Sequence, residues 1–201
     1  MTFGKRLFDL GLALCLAPIL LTLILVVLVT LAFTEGRPYF YVAERMKTPT
    51  QSFRLWKFRT MSVVAADSGV SGGNKAARVT RIGRILRKTR GDELPQLWNI
   101  LKGDLSFVGP RAPLREYVER FPELYGEVLK SRPGATGLAS LYYHRHEEWL
   151  LAQCDTPEQT DRVYCETCIP AKARLDLMYQ RHQSVCFDAK LVWDTIKKVL
   201  S

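Results

Sequence analysis

An uninterrupted apolar segment near the N-terminus constrains the fold of this chain more than any other feature. The 24 residues from Leu10 to Phe33 contain no charged side chain. At about 1.5 Å per helical residue, they are long enough to cross a hydrocarbon core of roughly 30 Å. A buried helix of a soluble protein is rarely apolar on every side, and a cleaved signal peptide has a shorter apolar core of about 7–15 residues. The segment therefore predicts a membrane helix.

The flanks and the proline of this segment bear on its path through the membrane. Lys5 and Arg6 precede it and Arg37 follows it. Because positive charge favours the cytoplasmic side, both ends are expected there. Pro18 lacks a backbone donor and predicts a kink. A helix that enters, bends at Ala17–Pro18 and returns to the same face fits these features, and so does a simple spanning helix with a kink.

Composition limits the possible partners. The chain has 201 residues and a formal net charge of +9, which favours one domain with an appendage and a polyanionic partner. Nucleic acid, a phosphorylated substrate and an anionic membrane all qualify by charge, but no nucleic-acid-binding motif is present, so we expect no nucleic acid. The five cysteines are an odd number and indicate reduced thiols rather than a complete disulfide framework.

The remaining pattern predicts a mainly helical α+β fold. Tyr39–Val42 and Ser52–Thr60 are rich in aromatic and β-branched residues and predict a hairpin. Glycine and serine between Asp67 and Asn74 predict a loop. Three further segments predict amphipathic helices suited to core packing or to a membrane surface, namely Lys75–Arg90, Arg115–Lys130 and Phe187–Leu200.

The stretch TRGDELPQLWN sets two acids, Asp92 and Glu93, directly after the most basic part of the chain. A structural interpretation is that Asp92 caps a helix beginning there, with Glu93 favourable to the helix dipole. A chemical interpretation is that nearby arginines favour the carboxylate form of Asp92. A deprotonated carboxylate serves as a nucleophile or as a Mg²⁺ ligand. The residues alone leave both interpretations open.

Two turns carry arginines of similar character. KGDLSFVGPRAP, from Lys102 to Pro113, is rich in glycine and proline and predicts a rigid turn that presents Arg111. SRPGATG, from Ser131 to Gly137, repeats this pattern around Arg132. Guanidinium groups make bidentate contacts to phosphate, although plain connecting loops explain the same residues.

The C-terminal third contains a pattern close to zinc-finger spacing. Cys165 and Cys168 are followed by His182 and Cys186. Because the intervening residues predict a helix, Cys165 and Cys168 could equally share one helical face, and metal binding is left open.

Taken together, these motifs resemble the bacterial sugar transferase family, the monotopic phosphoglycosyl transferases that initiate glycoconjugate assembly. The resemblance rests on the apolar segment interrupted by proline, WKFRTM (Trp56–Met61), the long stretch Val79–Arg111, and SRPGATG. It covers essentially the whole chain. No multi-span domain is expected upstream, so the chain resembles the short form of the family.

The resemblance implies a specific reaction. The family transfers a sugar-1-phosphate from a nucleoside diphosphate sugar, usually a UDP-sugar, to a polyprenyl phosphate such as undecaprenyl phosphate. Asp92 matches the family's nucleophile, which forms an aspartyl phosphosugar intermediate and releases UMP. Glu93 matches the second acid, expected to hold Mg²⁺ with Asp92 or to position phosphates. Arg111 matches a phosphate-binding arginine.

Further candidates for substrate binding follow from the same resemblance. Lys57 and Arg59 lie in WKFRTM, Arg132 lies in the second turn, and Asp188 matches an acid near the family's C-terminus. The segment after Gly137 departs from the pattern of many relatives. It contains Arg145, a candidate phosphate or uridine contact, and its departure leaves the transferred sugar open.

The implied architecture has two parts. Residues 1–36 form a re-entrant membrane helix broken at Pro18, and residues 37–201 form a cytoplasmic domain with a hairpin and interfacial helices on the bacterial inner membrane. The alternative is a membrane-anchored basic scaffold that binds anionic lipid or a partner enzyme without turnover. The intact acid pair favours the enzyme. The oligomeric state is not predicted.

Overall fold

In the computed structural model, residues 2–62 and 78–200 are described, and they form a mainly helical fold with two small sheets. The predicted loop Asp67–Asn74 and the first residues of the predicted basic helix lie outside the described residues. The helices are α1 (Phe3–Thr34), α2 (Arg81–Lys88), α3 (Gln96–Lys102), α4 (Arg115–Arg120), α5 (Pro122–Val128), α6 (Leu138–Tyr142), α7 (His144–Leu151), α8 (Pro157–Val163), α9 (Ile169–His182) and α10 (Val185–Leu200). The strands are β1 (Phe40–Met46), β2 (Ser52–Phe58), β3 (Ser106–Val108) and β4 (Gly134–Thr136).

Helix α1 contains the apolar segment and is long and apolar enough to cross a membrane. The helix continues without interruption through Ala17 and Pro18, so the predicted break of the helix at Pro18 is wrong. The hydroxyl of Thr22 donates to the carbonyl of Pro18 at 2.9 Å. Most of the helix surface is exposed apolar side chain, such as Leu14 at 67% and Leu25 at 61%. Such a surface is suited to lipid rather than to water.

The first turns of α1 are fastened to the rest of the molecule by polar contacts. The Lys5 ammonium lies 2.6 Å from Asp188, and both side chains are almost fully buried. Arg6 donates to the carbonyls of Ile100 and Leu101 at 2.6 and 2.7 Å. These carbonyls lie at the end of α3, where a helix has unsatisfied acceptors and its dipole favours a cation.

The last turns of α1 contact the same body. Leu31 is buried in a cluster with Phe58 and Leu86. Arg59 donates to the carbonyls of Glu35 and Gly36 at 3.0 and 3.1 Å. The chain leaves the helix at Gly36, whose φ of +66° favours glycine. Both ends of α1 are therefore held by one folded unit.

The predicted hairpin is confirmed. Strands β1 and β2 are antiparallel, with Phe40 opposite Phe58 and Met46 opposite Ser52. Alternation buries Phe53 and Leu55 on one face of β2, whereas Phe58 is buried in the separate cluster with Leu31. The hairpin is attached to α3 through Asn99, whose side chain accepts from the amide of Trp56 and donates to the carbonyl of Arg54.

The two arginine-bearing turns lie side by side. Strands β3 and β4 pair in parallel, with Ser106 opposite Gly134 and Val108 opposite Thr136. The pairing needs glycine, because a Cβ at Gly109 would lie 2.1 Å from the Arg132 carbonyl oxygen. Sequence analysis predicted the turns but not these short strands, since three-residue strands carry too little periodicity.

Helices α4 to α10 complete the fold around buried aromatic side chains, including Tyr117 and Tyr179. The predicted helices after Arg115 and Phe187 are confirmed as α4, α5 and α10. Cys165 and Cys168 are buried in a π-helical turn between α8 and α9. Within residues 2–62 and 78–200, no cluster of three or more His, Cys, Asp or Glu side chains could hold a metal ion. The zinc interpretation is therefore not supported.

Candidate active site

The acid pair lies in a 3₁₀ turn, Gly91–Glu93, between α2 and α3. Arg90, directly before the turn, adopts a left-handed conformation with φ of 55°. Helix α3 begins only at Gln96, after Pro95. The prediction that Asp92 caps this helix is wrong, because the tight turn places Asp92 and Glu93 ahead of the first helical residue. Their side chains are left for contacts with other elements.

Glu93 is surrounded by cations from three parts of the chain. The Lys57 ammonium, on β2, donates to Glu93 Oε1 at 2.7 Å. Arg90 donates to Oε2 from the neighbouring turn, and Arg111 Nη2 lies 3.6 Å from Oε1. Burial opposes ionisation of Glu93, but Lys57, Arg111 and Arg90 together outweigh it and hold the pKa of Glu93 well below its usual range. Glu93 is therefore a fixed carboxylate.

Asp92 has a different environment. Its closest cation is Lys57, whose ammonium lies 3.9 Å from Oδ2. Among the described residues, no donor forms a hydrogen bond with the Asp92 carboxylate. Burial raises the pKa of Asp92, and Lys57 offsets this only in part. The expectation that nearby arginines favour the ionised form thus holds for Glu93 and not for Asp92, because Asp92 is desolvated without close ion pairs.

Arg111 connects the acid pair to a second recess. It lines a small pocket beside Glu93 together with Arg45, Lys57 and Gln96. It also lines a neighbouring pocket whose other polar side chains are Arg90, Ser140, His144, Glu147 and Lys172. The predicted exposure of Arg111 by its turn is confirmed, since its side chain is 49% exposed. An anion in either pocket would therefore meet Arg111.

In the second pocket, Lys172 is held in place by an ion pair, a hydrogen bond and an aromatic ring. The Lys172 ammonium lies 2.7 Å from Glu147 and 2.9 Å from the Tyr164 hydroxyl. It also lies 4.2 Å from the centre of the Tyr164 ring, within the range of a cation–π contact. This group holds α9 against α7 behind Arg111.

Of four further predicted binding residues, three have other contacts and the fourth is exposed. Arg59 holds the end of α1. Arg132 donates to the carbonyl of Gly103, the residue that ends α3. Asp188 is buried and bound by Lys5 and by the Tyr179 hydroxyl, each at 2.6 Å. Arg145 is exposed on α7. None of the four forms a described ion pair or hydrogen bond with Asp92 or Glu93, so their substrate-binding roles stay predictions.

Sequence reasoning missed three cations near the site. Arg90 precedes the acid pair and stands three residues before Glu93, a spacing that could have indicated their ion pair. Arg45 lies on the hairpin strand β1 outside the predicted motifs, and Lys172 lies in a helix without any motif. For Arg45 and Lys172 no local signal exists, because only the packing of distant elements brings them beside Arg111.

The two acids differ as possible ligands of a divalent cation. Among the described residues, the Asp92 carboxylate has no hydrogen bond, whereas the two carboxylate oxygens of Glu93 accept from Lys57 and Arg90. Mg²⁺ commonly binds one or two carboxylates and completes its shell with water and substrate phosphates. Asp92 suits a Mg²⁺ ion shared with a substrate phosphate, and the Mg²⁺ site at the acid pair stays a prediction.

Comparison with known proteins agrees with this geometry. The bacterial sugar transferase family matches residues 1–201. The "Uncharacterized sugar transferase EpsL" of Bacillus subtilis is 34% identical, over 98% of this chain and 87% of its own. The "Exopolysaccharide production protein PSS" of Rhizobium leguminosarum is 34% identical, over 98% of this chain and 95% of its own. A third relative, from Aeromonas hydrophila, is a "UDP-N-acetylgalactosamine-undecaprenyl-phosphate N-acetylgalactosaminephosphotransferase". It is 30% identical over 99% of this chain, which spans 44% of its length.

The fold and site define a membrane-associated enzyme whose acid pair lies among lysine and arginine side chains. The chain belongs to the bacterial sugar transferase family.

Proposed function

We propose that this protein transfers a sugar-1-phosphate from a UDP-sugar to undecaprenyl phosphate or a similar polyprenyl phosphate, with UMP as the second product. The observation that carries the proposal is the division of the acid pair: Glu93 is fixed by three cations, whereas Asp92 beside it has no hydrogen bond among the described residues. The named Aeromonas relative is a transferase of this kind. The intact acid pair gives no support to a non-catalytic scaffold.

In the first step, a carboxylate oxygen of Asp92 attacks the phosphorus that bears the sugar. The bond from that phosphorus to the UMP oxygen breaks, and the phosphosugar remains on Asp92 as a mixed anhydride. Lys57, Arg90 and Arg111 provide positive charge around two anionic reactants, which would otherwise repel each other. Mg²⁺ held by Asp92, with Glu93 beside it, would offset further negative charge on the phosphates.

In the second step, a phosphate oxygen of the polyprenyl acceptor attacks the same phosphorus. The bond to Asp92 breaks, which regenerates the carboxylate and yields the polyprenyl diphosphate sugar. Glu93 stays ionised throughout and keeps Lys57 and Arg90 in place. Two displacements at one phosphorus thus use one set of cations.

The contacts of α1 support a re-entrant path. A straight spanning helix would carry one end about 30 Å away from the membrane face of the domain. Here Lys5, near one end, and Leu31, near the other, both contact the folded unit. A cytoplasmic domain on the bacterial inner membrane would then have its acid pair near the lipid surface, where the acceptor's phosphate lies.

The decisive experiment measures UMP release from a panel of UDP-sugars with Mg²⁺ and undecaprenyl phosphate. We expect release by the wild type with at least one donor. Asp92→Asn should lower the rate at least about a thousandfold, because it removes the nucleophile. With donor alone, mass spectrometry should find a sugar-phosphate adduct on Asp92.

Asp155→Asn is the matched control, since it makes the same change in an exposed side chain outside the site. It should release UMP at the wild-type rate. Undiminished release by Asp92→Asn would exclude Asp92 as the nucleophile, and no release with any donor would contradict the proposed function.

A further inference from the structure

Arg45, on strand β1, lines the pocket beside Glu93. Among the described residues, its guanidinium makes no hydrogen bond and no ion pair. Glu116 attracts it without reaching ion-pair distance. By contrast, Lys57, Arg90 and Arg111 all contact Glu93. A partly buried guanidinium without a partner costs free energy, which a bound anion would recover.

The position of Arg45 is fixed by the backbone next to it. The amide of Met46 donates to the carbonyl of Pro113 at 3.0 Å. This bond attaches the end of β1 to the segment that follows Arg111. Burial lowers the pKa of Arg45, and the positive charge of Arg111 lowers it further, which agrees with two guanidinium groups facing one pocket.

The charges that line this pocket do not balance. Arg45, Lys57 and Arg111 contribute three cations, and Glu93 contributes one carboxylate. The apolar part of the lining, such as Leu55 and Leu105, contributes no charge. The excess of positive charge equals the charge of a phosphate dianion. Guanidinium groups match phosphate oxygens in geometry and bind them in bidentate fashion.

We infer that Arg45 binds a phosphate group of a substrate, together with Arg111 and beside the acid pair. This inference rests on the proposed function and adds a residue to it. Two sources have the same chemistry, namely the phosphate of the nucleotide in the donor and the phosphate of the polyprenyl acceptor. Arg45 would hold that phosphate while Asp92 reacts.

The test compares ligand-induced stabilisation of the full chain in detergent. Melting temperatures are measured for the wild type and for Arg45→Met, each alone, with UMP, and with undecaprenyl phosphate. Without ligand, we expect Arg45→Met to melt at or above the wild-type temperature, because an uncompensated charge is removed. Its affinity for one or both probes should fall about tenfold or more, which corresponds to loss of a charge-assisted hydrogen bond.

Arg54→Met is the matched control, because it makes the same change at an exposed position of the same hairpin. It should keep both responses. Loss of the UMP response assigns the phosphate to the donor, loss of the lipid response assigns it to the acceptor, and loss of both assigns a site used by each in turn. If the methionine variant does not fold, Arg45→Gln replaces it in the same comparison.

The inference is overturned if Arg45→Met responds to both probes as the wild type does, or if neither probe stabilises the wild type. These outcomes differ from failure of the proposed function. Binding is measured without turnover, whereas the proposed function fails only when the wild type releases no UMP from any donor.

Discussion

Two adjacent acids have opposite properties in this protein because their side chains meet different neighbours. Glu93 is held by Lys57 from the hairpin and by Arg111 from the turn after β3. Asp92 is desolvated without a close ion pair, and its pKa is raised. A nucleophile benefits from being available rather than tied in hydrogen bonds, whereas an anchoring carboxylate benefits from being fixed.

Asp176, on α9 and one turn from Lys172, is another buried acid of this protein. Its Oδ1 has no hydrogen-bond partner in the part of the chain that the structure describes. Burial raises the pKa of Asp176 to about 7, and Lys172 offsets this only in part. Below pH 7 the folded protein therefore holds a proton on Asp176 that the unfolded chain releases above its ordinary carboxylate pKa.

This linkage gives a pH-dependent prediction. Since the folded state binds the proton more tightly, the contribution of Asp176 to the free energy of unfolding should fall as pH rises from about 4 to about 7. Asp176→Asn removes this titration. The free energy of unfolding of Asp176→Asn, relative to that of the wild type, should therefore be about 2–4 kcal/mol higher at pH 8 than at pH 4. Denaturant unfolding in detergent at several pH values measures this.

Asp155→Asn makes the same change at an exposed position and is measured over the same pH range as the control for the substitution itself. If the stability difference between Asp176→Asn and the wild type does not change with pH, Asp176 titrates as an ordinary carboxyl group.

At the scale of elements, the contact between α1 and α10 depends on one buried ion pair. Lys5 and Asp188 have side-chain exposures of 3% and 1% and lie 2.6 Å apart. The Tyr179 hydroxyl, on α9, donates to the same carboxylate. Asp188 thus joins three helices, which accounts for an acid near the C-terminus without requiring a substrate contact.

Removal of one partner should leave the other charged and buried. Lys5→Met is expected to lower the free energy of unfolding by about 3–5 kcal/mol, because Asp188 loses its cation. The double variant Lys5→Met/Asp188→Leu should recover most of this loss, since neither charge of the pair remains. Denaturant unfolding in detergent of the wild type, Lys5→Met, Asp188→Leu and the double variant gives the coupling between the two residues.

A third comparison checks that the effect belongs to the pair. Lys130→Met breaks an exposed ion pair with Glu127 and should change stability by less than about 1 kcal/mol. Equal losses in Lys5→Met and Lys130→Met would mean that the buried pair does not hold α1.

At the scale of the whole molecule, α1 presents one stripe to the folded unit and its remaining surface to the outside. The buried residues of α1 are Lys5, Asp9, Ala13 and Leu31, which span nearly its whole length. The exposed apolar side chains cover the other faces. This arrangement fits a helix embedded from one side of the bilayer, as proposed above.

The re-entrant path predicts the side from which each end can be labelled. In a Cys15→Ser background, cysteines introduced at Phe3 and Phe33, which are 85% and 88% exposed, should react from one side only. Native Cys186, exposed on α10, marks the side of the folded domain. With a membrane-impermeant maleimide, all three should be protected in intact cells and labelled in inverted vesicles.

Phe3→Cys and Phe33→Cys are made as separate variants. Labelling beyond that of Cys186 then comes from one known end of α1. Labelling of one end in intact cells and of the other only in inverted vesicles would establish a spanning helix instead.

Local pattern in the sequence was enough for the elements with strong periodicity or composition. The apolar run predicted α1, alternation predicted the hairpin, and the glycine- and proline-rich turn Lys102–Pro113 predicted the exposure of Arg111. These features need only neighbouring residues, because helix, strand and turn preferences act over a few positions.

Only the tertiary structure decided which residues surround the acids. Lys57 and Arg111 contact Glu93 from positions 36 residues before and 18 residues after it. Arg45, on β1, lines the same pocket, whereas Asp188 is paired with Lys5 elsewhere. Desolvation and ion pairing depend on these distant contacts, and they set the different states of Asp92 and Glu93. Sequence determined the chemical groups of this site, and packing determined their charges and partners.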